Sequence, residues 1–131
     1  PYGNYAGIEI TDCYATGSVT GEDLIGAFAG QTYDMVARVY ATGNTSQVTP
    51  GVGRIGGLMG YVNYSGSHGL GSIVDSFFDL NTTGQTETYN NDGFPKSTAE
   101  MKLQVTYTNW DFGSVWDMPS GGTPRFQWQL E

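Results

Sequence analysis

The stretch Cys13-Tyr14-Ala15-Thr16-Gly17-Ser18-Val19-Thr20 returns 26 residues later as Val39-Tyr40-Ala41-Thr42-Gly43-Asn44-Thr45-Ser46. A reduced third copy follows: Asp75-Ser76-Phe77-Phe78-Asp79 aligns with Asp12-Cys13-Tyr14-Ala15-Thr16. A second element trails each of the first two copies in the same order. Ile25-Gly26-Ala27-Phe28-Ala29-Gly30 is answered by Ile55-Gly56-Gly57-Leu58-Met59-Gly60, now at an offset of 30. The extra residues fall within Gln47 to Arg54, where Pro50, Gly51 and Gly53 mark a loop. Internal repetition at a fixed period is the strongest architectural signal a sequence can carry.

Each unit offers two short strand-like segments. In the first, Ile8, Ile10, Asp12, Tyr14 and Thr16 share one parity, with Cys13 and Ala15 on the other. The Ile-Gly segment has no polar face, as expected of a strand buried on both sides. Its glycines Gly26 and Gly56 mark tight corners or close backbone approach. A unit this small cannot bury its own apolar face, whereas stacked units bury it together. The expected fold is therefore all-β: a short β-solenoid over residues 8–90 of two full turns and a partial third. The structural repeat positions are Tyr14, Tyr40, Phe77, Ile25, Ile55, Gly26 and Gly56. A β-sandwich with accidental similarity is the competing architecture.

Outside the repeats, residues 1–7 read as an N-terminal arm or linker. Asn81 to Gly93 is polar and reads as a long loop or a corner of the stack. Ser97 followed by Glu100 has the spacing of a capping box and predicts one short helix over roughly 98–104. All three tryptophans, Trp110, Trp116 and Trp128, lie in the tail. Residues 91–131 thus read as a Trp-rich cap over the end of the stack, where unpaired edges and apolar interior need covering.

Composition narrows the function. Thirteen carboxylates against five Lys plus Arg leave a formal net charge of -8, the wrong sign for holding nucleic acid. No apolar run approaches a membrane span. A start at Pro1, with no basic segment leading an apolar stretch, suggests a processed product or an excised fragment. Aromatic residues make up 14% of the chain, too much packing material for a disordered one. Cys13 stands alone, so an intrachain disulfide is excluded, and it reads as a small buried hydrophobe.

The strings Asp12 to Val19 and Ile55-Gly56-Gly57-Leu58-Met59-Gly60-Tyr61 resemble GLUG-motif repeats. The tail is similar to the segment that often closes such arrays: Asp75 to Asp79, Thr83-Gly84-Gln85, Thr98 to Lys102, Trp110-Asp111-Phe112, Val115-Trp116 and Pro124 to Gln129. Two departures stand out. Ala27-Phe28 replaces the motif's Gly-Leu, and Val39 stands where Cys or Ser is usual. The resemblance implies an extracellular structural or adhesive module of a large bacterial or archaeal surface protein. It brings no catalytic motif.

The chemistry on offer is sparse. One Cys and one His, His68, cannot supply a usual zinc set. Asn90-Asn91-Asp92-Gly93 and Glu22-Asp23 are the nearest approach to a calcium site, and both read first as turn and surface. No cofactor is expected. Asp12 and Asp75 occupy equivalent positions and are weighed as a glycosidase pair, against the commoner role of corner residues accepting backbone N–H bonds. Sugar stacking is the better functional idea. Its candidates are Tyr2, Tyr5, Tyr33, Tyr61, Tyr64 and Tyr89, with Tyr61 and Tyr64 the foremost because they lie in a Gly-Ser-rich surface stretch. A platform of the three tryptophans is a further option. The open N-terminal edge of a short stack would meet either adjacent repeats of a parent chain or, head to tail, a second subunit in a filament. The reading is thus a non-enzymatic surface module, with a filament subunit and a glycan-binding module as alternatives.

Overall fold

The computed structural model describes residues 9–62, 73–86 and 93–130. Strands dominate it. In chain order they are β1 (Glu9–Ala15), β2 (Val19–Gly21), β3 (Ala29–Thr32), β4 (Met35–Ala41), β5 (Thr45–Gln47), β6 (Met59–Val62), β7 (Ile73–Val74), β8 (Phe77–Asp79), β9 (Phe94–Lys96), β10 (Trp116–Asp117) and β11 (Arg125–Phe126). Two single-turn helices, α1 (Leu80–Thr83) and α2 (Thr98–Met101), and two 3-10 turns, Gln104–Tyr107 and Gln127–Leu130, complete it. The fold is all-β with short helical turns.

Repeated sequence pairs with itself. Strand β1 runs parallel to β4 with Tyr14 opposite Tyr40, and β4 runs parallel to β8 with Tyr40 opposite Phe77. Strand β9 extends the same sheet beyond β8, and β7 pairs with β4. Two smaller parallel sheets, β2–β5 and β3–β6, and a bridge from Ile25 to Ile55 continue the match. Like segments thus pair in parallel, β1, β2 and β3 with β4, β5 and β6, and β4 in turn with β7 and β8; each such set is one layer. The loop between β5 and β6 absorbs the longer second offset. Gln47 holds it, donating from Nε2 to the Val52 carbonyl at 2.6 Å and accepting from the Gly51 N–H at 3.0 Å. Gly26 has no room for a side chain: a Cβ there would lie 2.6 Å from the Leu58 oxygen of the next layer.

The first segment does not alternate as its parity suggests. Ile10 and Cys13 both pack on the interior, beside Val36, Val39, Ala41, Leu58, Met59 and Phe78, while Tyr14 faces the other way. The cause is a left-handed residue at the same position in each layer: Asp12 (φ 55), Arg38 (φ 56) and Asp75 (φ 48). Such a residue turns the strand over by one position. A strict period of two therefore mispredicts everything N-terminal of it. Behind the turn, the Ser76 hydroxyl accepts from the Val39 N–H and donates to the Val74 carbonyl, stitching two layers inside the core.

The tail differs from expectation in two respects, and the stretch before it in one. It does not sit over the end of the stack. Only β9 covers an edge there, while residues 98–130 lie along the outer face of the β1–β4–β8 sheet and build a second core with Tyr40 and Phe77. The outward row Tyr14, Tyr40 and Phe77 gives the tail's apolar side chains a surface to pack on. The single expected helix is shorter, α2 alone, and its capping box is formed: Ser97 Oγ accepts from the Glu100 N–H, and Glu100 accepts from the Ser97 N–H. Such a cap contributes about 1 kcal/mol. Before the tail, the stretch from Asn81, expected to be a long loop or a corner of the stack, opens as α1, capped by Asp79, whose buried carboxylate also accepts from the Thr98 hydroxyl at 2.7 Å.

Candidate functional site

The outer face of the main sheet carries the densest chemistry. Tyr14 and Tyr40 stack with ring centroids 5.3 Å apart and planes within 6°. That geometry follows from parallel in-register strands, which place equal side chains one strand spacing apart. Phe77 extends the row. Four rings of the tail pack against it: Tyr107 meets Phe77 and Tyr40, and three more follow in sequence. Trp110 meets Phe77 and Tyr40, Trp116 meets Tyr40 and Tyr14, and Phe126 meets Tyr14. Among the described residues, Trp128 stacks on Phe126 alone.

Hydrogen bonds make the tail a strap across all three layers. In the first, Trp116 Nε1 donates to Asp12 at 3.0 Å, and Gln129 Nε2 donates to the Tyr14 hydroxyl at 2.9 Å. In the second, the Tyr40 hydroxyl donates to the Pro124 carbonyl at 2.5 Å. In the third, Trp110 Nε1 donates to the Asp75 carbonyl at 2.8 Å, and Asn109 Nδ2 to its carboxylate at 3.0 Å. Burial pushes the Tyr40 phenol up to about 12, against a smaller opposing pull from Thr123. Burial raises Tyr107 further still. Both phenols stay neutral in this face, where they pack and donate.

A ladder of charge runs beside the rings. Arg38 grips Asp12 with two hydrogen bonds, at 3.0 and 2.9 Å, and Asp75 holds the same position one layer on. Burial raises the Asp12 pKa, but the hydrogen bonds from Arg38 and Trp116 and the guanidinium charge outweigh it, so the carboxyl lies below its usual 3.8. Among the described residues, neither aspartate accepts a backbone N–H as a corner residue would; both are held by side chains of other segments. With Arg38 bound to one and Asn109 to the other, they do not form a free glycosidase pair. A depressed folded pKa stabilises above the unfolded value and ceases to do so as pH falls through the folded one. Thermal scans should thus show a nearly constant Tm down to about pH 4 and a decline below it. Asp12→Asn should lower Tm at neutral pH and leave a shallower acid decline. Asp23, Glu100 and Asp111, all with lowered pKa values, supply the remainder. An unchanged acid limb in Asp12→Asn would show that the ladder does not stabilise.

The sugar candidates divide. Tyr61 sits on β6 opposite Gln31, half-buried, with the Arg54 guanidinium 4.8 Å from its ring centroid. Arg54 also binds Asp23, whose carboxyl its hydrogen bonds hold at about 2. One face of Tyr61 is thereby covered. Tyr33 is exposed and accepts from Gln31 Nε2 at 3.0 Å. Tyr2, Tyr5, Tyr64 and Tyr89 lie outside the described residues, as do His68 and Asn90 to Asp92. The three tryptophans form no common platform, because Trp110 and Trp116 are buried at 5% and 0% exposure and only Trp128 is open, at 70%. An open depression of about 380 Å³ lies over the strap, lined by Gln104, Val105, Tyr107, Thr108, Trp110 and Phe112.

Cys13 is half-buried and donates to the Thr11 carbonyl; burial and then the Asp12 charge raise its pKa, so its thiol stays protonated and a poor nucleophile. Among the described residues, no three His, Cys, Asp or Glu side chains group to hold a metal ion. The strap's contacts with Asp12 and Asp75 escaped sequence reasoning. One signal was available: Asp12 and Arg38 stand at the same place in successive copies, an acid–base pair at the repeat offset.

No family model matches the chain, and no solved structure does. It is similar to a protein of Evansella cellulosilytica named "Putative Gly-rich membrane protein". The two are 33% identical over 122 residues, which cover 88% of this chain and 13% of the relative. The chain spans a small part of that relative's length. Among the described residues, no helix is long and apolar enough to cross a membrane.

Proposed function

We propose that this chain is a non-enzymatic structural and adhesive module of a secreted or cell-surface protein, built as a short β-solenoid of GLUG-like repeats closed along one side by its tail. The observation that carries the reading is the parallel pairing of each sequence repeat with its own next copy, Tyr14 with Tyr40, Val19 with Thr45 and Ala29 with Met59. Side chains with chemical potential are spent on packing: the tyrosines in a ring stack, the tryptophan N–H groups on Asp12 and Asp75. A membrane-protein name on a much longer relative accords with a piece of a large surface protein.

The alternatives have less support. Head-to-tail filaments would need an inviting edge beyond β9, yet that three-residue strand carries Pro95, which lacks an N–H, and Lys96. Both are devices that discourage strand addition. A glycan site at Tyr61 must first displace Arg54 from its ring. The test uses the source cells. An antibody raised against the chain should label intact cells, and surface proteinase should remove the epitope before lysis. Labelling only after lysis would overturn the surface assignment.

A further inference from the structure

Three independent features leave the first layer open among the described residues. The outer edge of β1 is unpaired, as are those of β2 and β3, although each strand's other edge is in a parallel ladder. The ring series of the strap outruns the ring row of the sheet: Trp110, Trp116 and Phe126 each meet Tyr14, Tyr40 or Phe77, but among the described residues Trp128 meets none of these three, stacks on Phe126 and is 70% exposed. Gly17 is a glycine without an internal cause. Its equivalent Gly43 must be glycine, since a Cβ there would sit 1.9 Å from the Gly17 oxygen in the layer above, whereas a Cβ on Gly17 meets nothing within 4 Å. Nor is the Gly17 φ positive.

We propose that this end is a docking surface for a preceding coil of the same repeat type in the parent chain. That coil runs parallel to β1, sets an aromatic side chain over Tyr14 and against Trp128, and brings its backbone onto Gly17. The inference rests on the solenoid reading above and extends it by naming the contact residues. The charge ladder adds a chemical condition. Asp12, Arg38 and Asp75 alternate in sign, so a basic side chain belongs above Asp12 and a carboxylate would be repelled. A second copy is the poorer occupant, because the edge with which it would continue the main sheet, β9, carries Pro95 and Lys96.

The test inserts a second copy of residues 9–34, carrying Asp12→Arg, directly before Glu9 of the full chain. Amide exchange on β1 should slow by about a hundredfold, as expected when an open edge joins a ladder. Acrylamide quenching reads Trp128, since the other two tryptophans are buried; its quenching constant should fall to the buried level. Gly17→Ala should shift Tm by less than about 2 °C in the natural chain and lower it by about 10 °C in the extended one. If the fusion misfolds, the same 26 residues supplied as a peptide to the natural chain should protect Trp128 instead. Unchanged β1 exchange and Trp128 quenching, with β4 and β5 still protected, would overturn docking and leave the solenoid standing. Unprotected β4 and β5 in the natural chain would overturn the solenoid itself. Concentration-dependent dimers that bury Trp128 would overturn the proposed occupant in favour of a second copy.

Discussion

Tyr40→Ala should lower stability by about 4 kcal/mol, the cost of emptying a large aromatic site in a core that cannot collapse around it. Tyr40 is buried and touches the rings of Tyr14, Tyr107, Trp110 and Trp116. It is the middle member of the Tyr14, Tyr40 and Phe77 row, and its loss separates the strap from the sheet in the second layer. Removing it also leaves the Pro124 carbonyl without its donor. Tyr40→Phe keeps the rings and loses only the hydroxyl, so about 1 kcal/mol is expected. Urea unfolding followed by tryptophan emission would measure both, because Trp110 and Trp116 report directly on this core. Equal losses in the two variants would mean that the hydrogen bond, and not the ring stack, fastens the tail. Similarly small losses would mean that the strap is dispensable to the fold.

The second large effect comes from a single methyl group. Gly43→Ala should cost about 3 kcal/mol, at the upper end for overpacking, because its Cβ would lie 1.9 Å from a backbone oxygen, that of Gly17. A backbone atom cannot rotate away as a side chain does. The two layers must part, which strains the hydrogen bonds from Thr42 N–H to the Ala15 carbonyl and from Val19 N–H to the Asn44 carbonyl. Calorimetry of Gly43→Ala beside Gly17→Ala makes a controlled comparison, the same substitution at the same repeat position in adjacent layers. A large fall in Tm is expected for the first and almost none for the second. Similar values for the two would mean that the layers are not in the close contact from which the rest follows.

Much of the architecture was legible because a repeat tells where it goes. When two segments of like sequence stack in parallel, the register is their alignment, so Tyr14 with Tyr40 and Ile25 with Ile55 needed no knowledge of three-dimensional structure. The Ser97 cap of α2 was legible for a similar reason, since its partners are three residues apart. The strand turnover at Asp12, Arg38 and Asp75 was not. A left-handed φ at an arginine carries no local sequence signature, and the parity of Ile10 is set by where the interior lies rather than by its neighbours.

The sequence by itself therefore determined the pairing partners, the all-β class and the loop that absorbs the longer offset, because these depend on interactions between equivalents or near neighbours. Only the tertiary structure decided what the tail covers. Trp116 reaches Asp12 across 104 positions of chain, and Trp110 reaches Asp75 across 35. Contacts of that kind have no period and no spacing rule. They arise because the N–H groups of two buried rings need acceptors, and the half-buried Asp12 and Asp75 lie beside the apolar face on which those rings pack.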